Sequence, residues 1–266
     1  MRLGDKMQLS NTAVIEPGAL SGGPSLAAAP RPCTICGGGN FRHLTQDAGY
    51  DWEICSDCEF VRLTRDLTFD DEVALQDADM AAGYIDGYTR KVAKKLAISR
   101  QRLRLITRRV KSGSFLDVGS NYGFMTEVAG QSGFAATGLE INPGLARHAA
   151  QTYPLRRFVS SPLETFDAGG AQFDAVYCSE VIEHVVDPRR FLASLAKLMR
   201  HGSVLLLTTP HIREYRRRGY RQMKAPDHKV YFNHANLRRL MQECGFTRVR
   251  FRFNPFKGII LTALRT

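Results

Sequence analysis

The chain is 266 residues long and 44% hydrophobic, with 37 Lys and Arg against 26 Asp and Glu, a formal net charge of +11. That length buries one substantial core with room for a small accessory module, and no apolar run approaches the roughly 20 residues a membrane span needs. The first thirty residues lack the continuous apolar core of a signal peptide, so a cytoplasmic protein is expected, with either a solvated basic surface or acidic partners such as phosphates, nucleotides, nucleic acid or an anionic membrane surface.

Residues 1–30 are rich in Gly, Ser, Ala and Pro and are expected to form a disordered leader. Residues 31–65 contain "CTIC" and "CSDC", which place Cys33 and Cys36, then Cys55 and Cys58, as two C-x-x-C knuckles. Each knuckle turns two sulfurs toward one tetrahedral ion, so the spacing predicts a closed structural zinc site rather than a redox pair or a disulfide framework. His43 is near enough in sequence to compete as a ligand, while Cys178 and Cys244 read as packed core thiols.

A basic segment of helix-forming composition follows, and then "SFLDVGSNYGFMTEVAGQSGFAATGLEIN". It reads as strand, glycine-bounded turn, helix and second strand, a βαβ unit whose ligand crevice lies at the carboxyl ends of its strands. A dinucleotide fingerprint would need G-x-G-x-x-G, whereas this turn keeps Gly119 and Gly123 with Asn121 between them. An acid, Asp117, precedes the turn, and a second, Glu140, closes the next strand.

This pattern resembles the D-x-G-x-G-x-G motif of class I S-adenosylmethionine-dependent methyltransferases, with Asn121 replacing the middle glycine. Asn accepts left-handed backbone angles better than most residues. The resemblance implies that Gly119 and Gly123 admit the methionine part of the cofactor and that Asp117 faces its amino group. It further implies that Glu140 accepts from the ribose hydroxyls, that Leu163 lies beside the adenine, and that Asn121 and Ser179 complete the cofactor set.

The rest of the chain extends the match over about residues 84–266. "RRFVS", "FDAVYC" and "SVLLLTTP" read as strands three to five, and "TRVRFRF" with "GIILTAL" as a closing antiparallel hairpin, since "NPFK" is too short for a crossover. The expected fold is α/β: a Rossmann-like, mostly parallel seven-stranded sheet with a carboxyl-terminal antiparallel hairpin, preceded by a small zinc ribbon.

After strand four comes "CSEVIEHVVDP", with Glu180, Glu183 and His184 at offsets that share a face if the segment is helical, and with Asp187-Pro188 starting the next helix. The E-x-x-E-H stretch is similar to one that helps bind a divalent ion in small-RNA 3′-end 2′-O-methyltransferases and ubiquinone-pathway O-methyltransferases. In the former a histidine in a "DHK" context completes the site, and His228 stands in "APDHKVYF" here. Two readings stay open. Glu180, Glu183, His184 and His228 hold Mn²⁺ or Mg²⁺ beside the acceptor hydroxyl, or His184, His211 or His228 acts as general base with Glu183 orienting it.

The segment after strand five carries Arg213, Arg216, Arg217, Arg218, Arg221, Lys224 and Lys229, with Tyr215, Tyr220 and Tyr231 as flat surfaces. As a lid over the substrate it would select an acidic acceptor. The expectation is an S-adenosylmethionine-dependent O-methyltransferase acting on a small-molecule, glycan or lipid-linked acceptor of acidic character, with no membrane span. The alternatives are 2′-O-methylation of RNA, C-methylation of a sugar, and a non-catalytic zinc-ribbon binding protein.

Overall fold

The computed structural model describes residues 31–65, 91–254 and 258–266. The expected leader, the start of the basic segment and the "PFK" of the hairpin turn lie outside the described residues.

Seven strands form the main sheet in the order β6-β5-β4-β7-β8-β11-β10. They are β4 (Gly113–Val118), β5 (Phe134–Glu140), β6 (Arg157–Ser160), β7 (Phe173–Ser179), β8 (Met199–Thr209), β10 (Phe246–Phe251) and β11 (Ile259–Arg265). β6 through β8 pair in parallel, while β11 pairs antiparallel to both β8 and β10. The sheet is therefore the mostly parallel one expected, with its closing hairpin. β8 begins four residues before "SVLLLTTP".

Burial on both faces explains the near-continuous apolar strands. Phe115, Ala175, Tyr177, Val204 and Leu206 point one way, against Leu103 and Ile106 of α1 (Val92–Ile106) and Met125, Val128 and Ala129 of α2 (Phe124–Gln131). Leu116, Val118, Val176, Cys178, Leu205 and Leu207 alternate to the other face. There they meet Phe191, Leu192 and Leu195 of α4 (Pro188–Lys197) and Leu237, Leu240 and Met241 of α6 (His234–Glu243). A further helix, α3 (Pro143–Thr152), follows β5. Asp187 caps α4, accepting from the Arg189 and Arg190 N–H groups, with Pro188 in the first turn. Asn233 and Asn236 close a reciprocal capping box on α6.

The cysteine-bearing segment folds as β1 (Phe41–Asp47), β2 (Tyr50–Cys55) and β3 (Val61–Leu63). Its fourth strand comes from far along the chain: β9 (Val230–Tyr231) pairs with β3. Thus the basic segment after β8 does not simply cover the site. It packs α5 (Ile212–Arg216) and β9 into the core of this small four-stranded sheet, where Tyr215 and Tyr231 are 6% and 0% exposed beside Trp52. Those two tyrosines are consumed by packing and offer no face to a ligand, contrary to the sequence reading. Tyr220 stays partly exposed.

Candidate active site

Strand order reverses direction at β4, whose neighbours are β5 and β7. Such a switch leaves a crevice at the carboxyl ends of the strands, and a cleft of about 540 Å³ opens there.

One wall is the β4–α2 turn. Gly119 stands at φ +68° and Gly123 at φ +77°. A Cβ on Gly119 would fall 2.4 Å from Val181 Cγ2, and one on Gly123 2.6 Å from Phe158 Cζ, so neither position admits a side chain. Asn121 takes φ +50°, and its Oδ1 accepts from the Tyr122 N–H at 2.9 Å.

Two buried acids face this turn. Asp117 Oδ2 accepts from the Thr126 N–H at 3.0 Å and its hydroxyl at 2.8 Å. Burial lifts the Asp117 carboxyl from its ordinary 3.8 to about 7, against the Thr126 hydrogen bonds and with the Glu140 charge adding to the rise. Glu140 accepts from the Asn121 N–H at 2.8 Å and the Asn142 N–H at 3.0 Å, and burial raises it also. Leu163, on a 3₁₀ turn (Leu163–Thr165), and Ser179, at the end of β7, line the same cleft.

At the other end, residues 180–184 form a turn rather than a helix, closed by the His184 N–H donating to the Val181 carbonyl at 2.9 Å. Glu180 sits at φ +55°, a left-handed angle that costs a non-glycine residue free energy. The Lys229 and Val230 N–H groups donate to the Glu183 carbonyl at 2.8 and 3.2 Å. Lys229 Nζ donates to the His184 carbonyl at 2.6 Å. These bonds bring residues 227–230 against the turn.

The result is a compact cluster. His184 Nδ1 is 2.8 Å from Asp227 Oδ1 and 3.0 Å from the Asp227 carbonyl oxygen, so this nitrogen carries the proton and Nε2 faces Glu183 Oε1 at 4.0 Å. The rings of His184 and His228 meet edge to face with centroids 4.6 Å apart. Glu183, His184 and His228 each offer one ligand atom within 4.8 Å of the others. Glu183 Oε1 and His228 Nδ1 are buried with no hydrogen-bond partner among the described residues, while Glu183 Oε2 accepts from the Thr209 hydroxyl at 2.9 Å.

Burial pushes Glu183 up to about 8, offset in part by the His184 charge. It pulls His228 down to about 3, helped by the charge of His184. Burial opposes the charge on His184 too, but the hydrogen bond and charge of Asp227 prevail and hold it above its ordinary value.

Two residues expected at this cluster are elsewhere. Glu180 lines the cleft, but it is not one of the three converging groups, and its Oε1 accepts from the Thr208 hydroxyl at 2.8 Å. The turn, unlike a helix, does not stack positions 180 and 184 on one face. His211 caps α5, its Nδ1 accepting from the Arg213 N–H at 2.9 Å, and lines a separate cleft. The base candidates at the main cleft are therefore His184 and His228.

Sequence reading passed over two residues. Asp227 orients His184, and the acid beside His228 in "DHK" was its signal. Arg102 reaches in from α1, its Nη1 donating to Tyr177 Oη at 2.6 Å and Ser179 Oγ at 2.8 Å. Nothing in the uniformly basic helix marked it out.

In the cysteine-bearing segment, one ligand atom from each of Cys33, Cys36, Cys55 and Cys58 lies within 4.8 Å of the others. Cys33 Sγ is 3.6 Å from Cys58 Sγ, and Cys36 Sγ is 3.5 Å from Cys55 Sγ. Shared hydrogen bonding with Cys58 draws the Cys33 thiol down to about 5. His43 is exposed on β1 and is outside this group. Cys178 is fully buried in the sheet core, and burial raises its thiol well above the ordinary value.

Residues 88–250 match the family model described as "Methyltransferase domain". Among curated proteins, the ubiquinone biosynthesis O-methyltransferase of Caulobacter vibrioides is 35% identical over 101 residues, 36% of this chain and 40% of that protein. That of Coxiella burnetii is 29% identical over 114 residues, 41% of this chain and 49% of that protein. The chain thus matches about half or less of the length of these relatives. Among solved structures, Burkholderia thailandensis 1,6-didemethyltoxoflavin-N1-methyltransferase, with 1,6-didemethyltoxoflavin and S-adenosylhomocysteine bound, aligns at TM-score 0.56. It is 20% identical and covers 80% of this chain and 98% of that one. Magnesium protoporphyrin IX methyltransferase from Synechocystis PCC 6803, with S-adenosylmethionine bound, aligns at 0.54, with 19% identity and 76% and 100% coverage. Both likenesses are of fold.

Proposed function

The chain belongs to the methyltransferase-domain family, and on that premise we propose that it carries the methyl group of S-adenosylmethionine to an oxygen of a small-molecule, glycan or lipid-linked acceptor of acidic character. One observation supports this above the others. The glycine turn with Asp117 and Glu140, and the Glu183–His184–His228 cluster, line a single cleft, so acid–base groups stand beside the place of the methyl donor.

The residues fit the cofactor. Gly119 keeps the turn bare at the cleft wall, where a Cβ would run into Val181, and the cleft is of ligand size. Two buried carboxylates, Asp117 and Glu140, with no cationic partner among the described residues, suit an ammonium group and ribose hydroxyls. The sulfonium supplies an already activated methyl group. The chain's share is to align acceptor and donor, exclude water and take the acceptor's proton. In this reading His184 takes that proton, which is supported by Asp227 holding Nδ1–H and leaving Nε2 turned toward Glu183.

The orphaned Glu183 Oε1 and His228 Nδ1 with His184 also fit a divalent ion such as Mn²⁺ or Mg²⁺, which would lower the pKa of the acceptor hydroxyl. The four ribbon thiols fit Zn²⁺ in a closed structural site. His228 joining the E-x-x-E-H turn equally favours a second reading, 2′-O-methylation of RNA.

Calorimetry with S-adenosylhomocysteine, followed by labelled-methyl transfer to acceptor pools with and without nuclease treatment, tests the proposal. Cofactor binding with nuclease-resistant labelling supports the small-molecule reading, and nuclease-sensitive labelling replaces it with the RNA reading. Absence of cofactor binding overturns both.

A further inference from the structure

A second cleft, of about 470 Å³, lies where the ribbon meets the segment after β8. Its lining combines Glu59 from the ribbon with His211, Arg213, Arg217 and Tyr220 from that segment and His234 from the start of α6. The methyl-transfer cleft shares none of these residues.

Charge in this cleft is unbalanced. Arg213 and Arg217 are exposed, and neither guanidinium has an ion pair or hydrogen bond among the described residues. Arg216 reaches the cleft's single carboxylate, Glu59, only at 3.9 Å. Burial, then the His234 and Arg213 charges, pull His211 down to about 4, and burial with the Arg238 charge lowers His234. Burial thus disfavours charge on both imidazoles, and the fixed positive charge lining the cleft is that of its arginines.

The flat groups are arranged as well. His211 and His234 meet edge to face, with centroids 4.7 Å apart and planes at 89°, and Tyr220 and Ile212 line the same space. The ribbon wall is fixed in place, because Asn233 Nδ2 donates to Glu59 Oε2 at 3.2 Å and Asn236 Nδ2 donates to the Cys58 carbonyl at 3.2 Å. The cleft wall is thereby tied to the four-cysteine cluster.

We propose that this cleft is a second ligand site, which takes a phosphate-bearing small molecule with a flat ring, of the nucleoside diphosphate class. Guanidinium forks match phosphate oxygens two at a time, and the imidazole and phenol faces suit a ring. The volume lies in the range of small-molecule pockets. The ribbon then serves recognition as well as folding, supplying one wall of the site. This inference is independent of the methyl-transfer reading.

The test is calorimetry on the full chain with GDP, inorganic pyrophosphate and guanosine, each in saturating S-adenosylhomocysteine so that the main cleft is filled. GDP should bind, pyrophosphate should bind at least tenfold more weakly, and guanosine should not be detected. The Arg213→Ala/Arg217→Ala variant should lose GDP affinity at least tenfold and keep S-adenosylhomocysteine affinity, which shows that the fold is intact. His234→Ala should weaken GDP but leave pyrophosphate unchanged. No GDP binding to the wild type, or unchanged GDP binding in the double arginine variant, overturns the site. Failure of S-adenosylhomocysteine to bind would instead count against the methyl-transfer reading, and GDP would then be titrated alone with the same two variants.

Discussion

Asp227 holds His184 at two points, its carboxylate 2.8 Å and its carbonyl oxygen 3.0 Å from the same ring nitrogen. That grip fixes which nitrogen of His184 faces Glu183, and the behaviour of the whole cluster depends on it.

If a divalent ion is held there, Glu183→Gln, His184→Ala and His228→Ala should each lower turnover at least about 100-fold while S-adenosylhomocysteine affinity stays within about twofold. A mild chelator should silence the wild type, and added Mn²⁺ or Mg²⁺ should restore it but not the variants. Glu180→Gln should have a smaller effect, because Glu180 lies outside the converging set. Chelator-resistant turnover that only His184→Ala abolishes would establish the general-base reading in its place.

Asp227→Ala removes one of the two acceptors of His184 Nδ1 and leaves the carbonyl. Turnover should fall about 10- to 100-fold with KM for S-adenosylmethionine unchanged. Asp227→Asn, which keeps an acceptor oxygen, should recover part of the loss. Equal damage from both substitutions would mean that the negative charge, not the orientation, is what matters.

Glu140→Ala should weaken S-adenosylhomocysteine binding by about 1–3 kcal/mol, through lost charge-assisted hydrogen bonds. It also frees the Asn121 and Asn142 N–H groups that Glu140 now holds, so a modest fall in melting temperature should accompany it. Calorimetry giving wild-type affinity would remove Glu140 from the cofactor site.

Asp117 links the site to pH. Its carboxyl rises from 3.8 to about 7 on folding, chiefly through burial, with Glu140 as the neighbouring acid. The native state therefore binds more protons than the unfolded chain between these values, so stability falls as pH climbs through that window and levels off above about 7. Asp117→Asn removes this dependence and keeps an oxygen for Thr126. In cofactor-free protein its stability advantage should be near zero at pH 4 and grow to roughly 4 kcal/mol by pH 7, at about 1.4 kcal/mol for each pH unit. Denaturant melts across that range measure it, and a constant difference at all pH values would contradict the assignment. Cofactor affinity should fall in the same variant.

Freshly purified, unchelated protein should contain about one tightly bound zinc per chain, read by elemental analysis. Cys33→Ser or Cys58→Ser should lower solubility or stability, because ion binding contributes folding free energy. Zinc-free protein of full stability would return the four thiols to an ordinary reduced cluster.

What the sequence determined by itself was local and periodic. The apolar strands, the glycine turn with its two flanking acids, the Asp187-Pro188 helix start and the paired knuckles are all signals carried within a few residues. They suffice to order a βαβ-type sheet, because alternation and turn chemistry act at short range.

Tertiary structure decided the rest through contacts between distant segments. β9 starts against the Glu183 turn and becomes the fourth strand of the small cysteine-bearing sheet, with Tyr215 and Tyr231, which sequence alone offered as ligand surfaces, buried in that sheet's core. The same excursion presses Asp227 and His228 against the Glu183 turn, 44 and 45 residues earlier in the chain, and carries His211 into a different cleft. Whether Glu180 joins its neighbours depended on turn against helix, a choice set by the Thr208 hydroxyl and backbone holding it from β8. Spacing along the chain cannot encode such pairings, because long-range strand docking is selected by the burial of side chains that meet only once the fold exists.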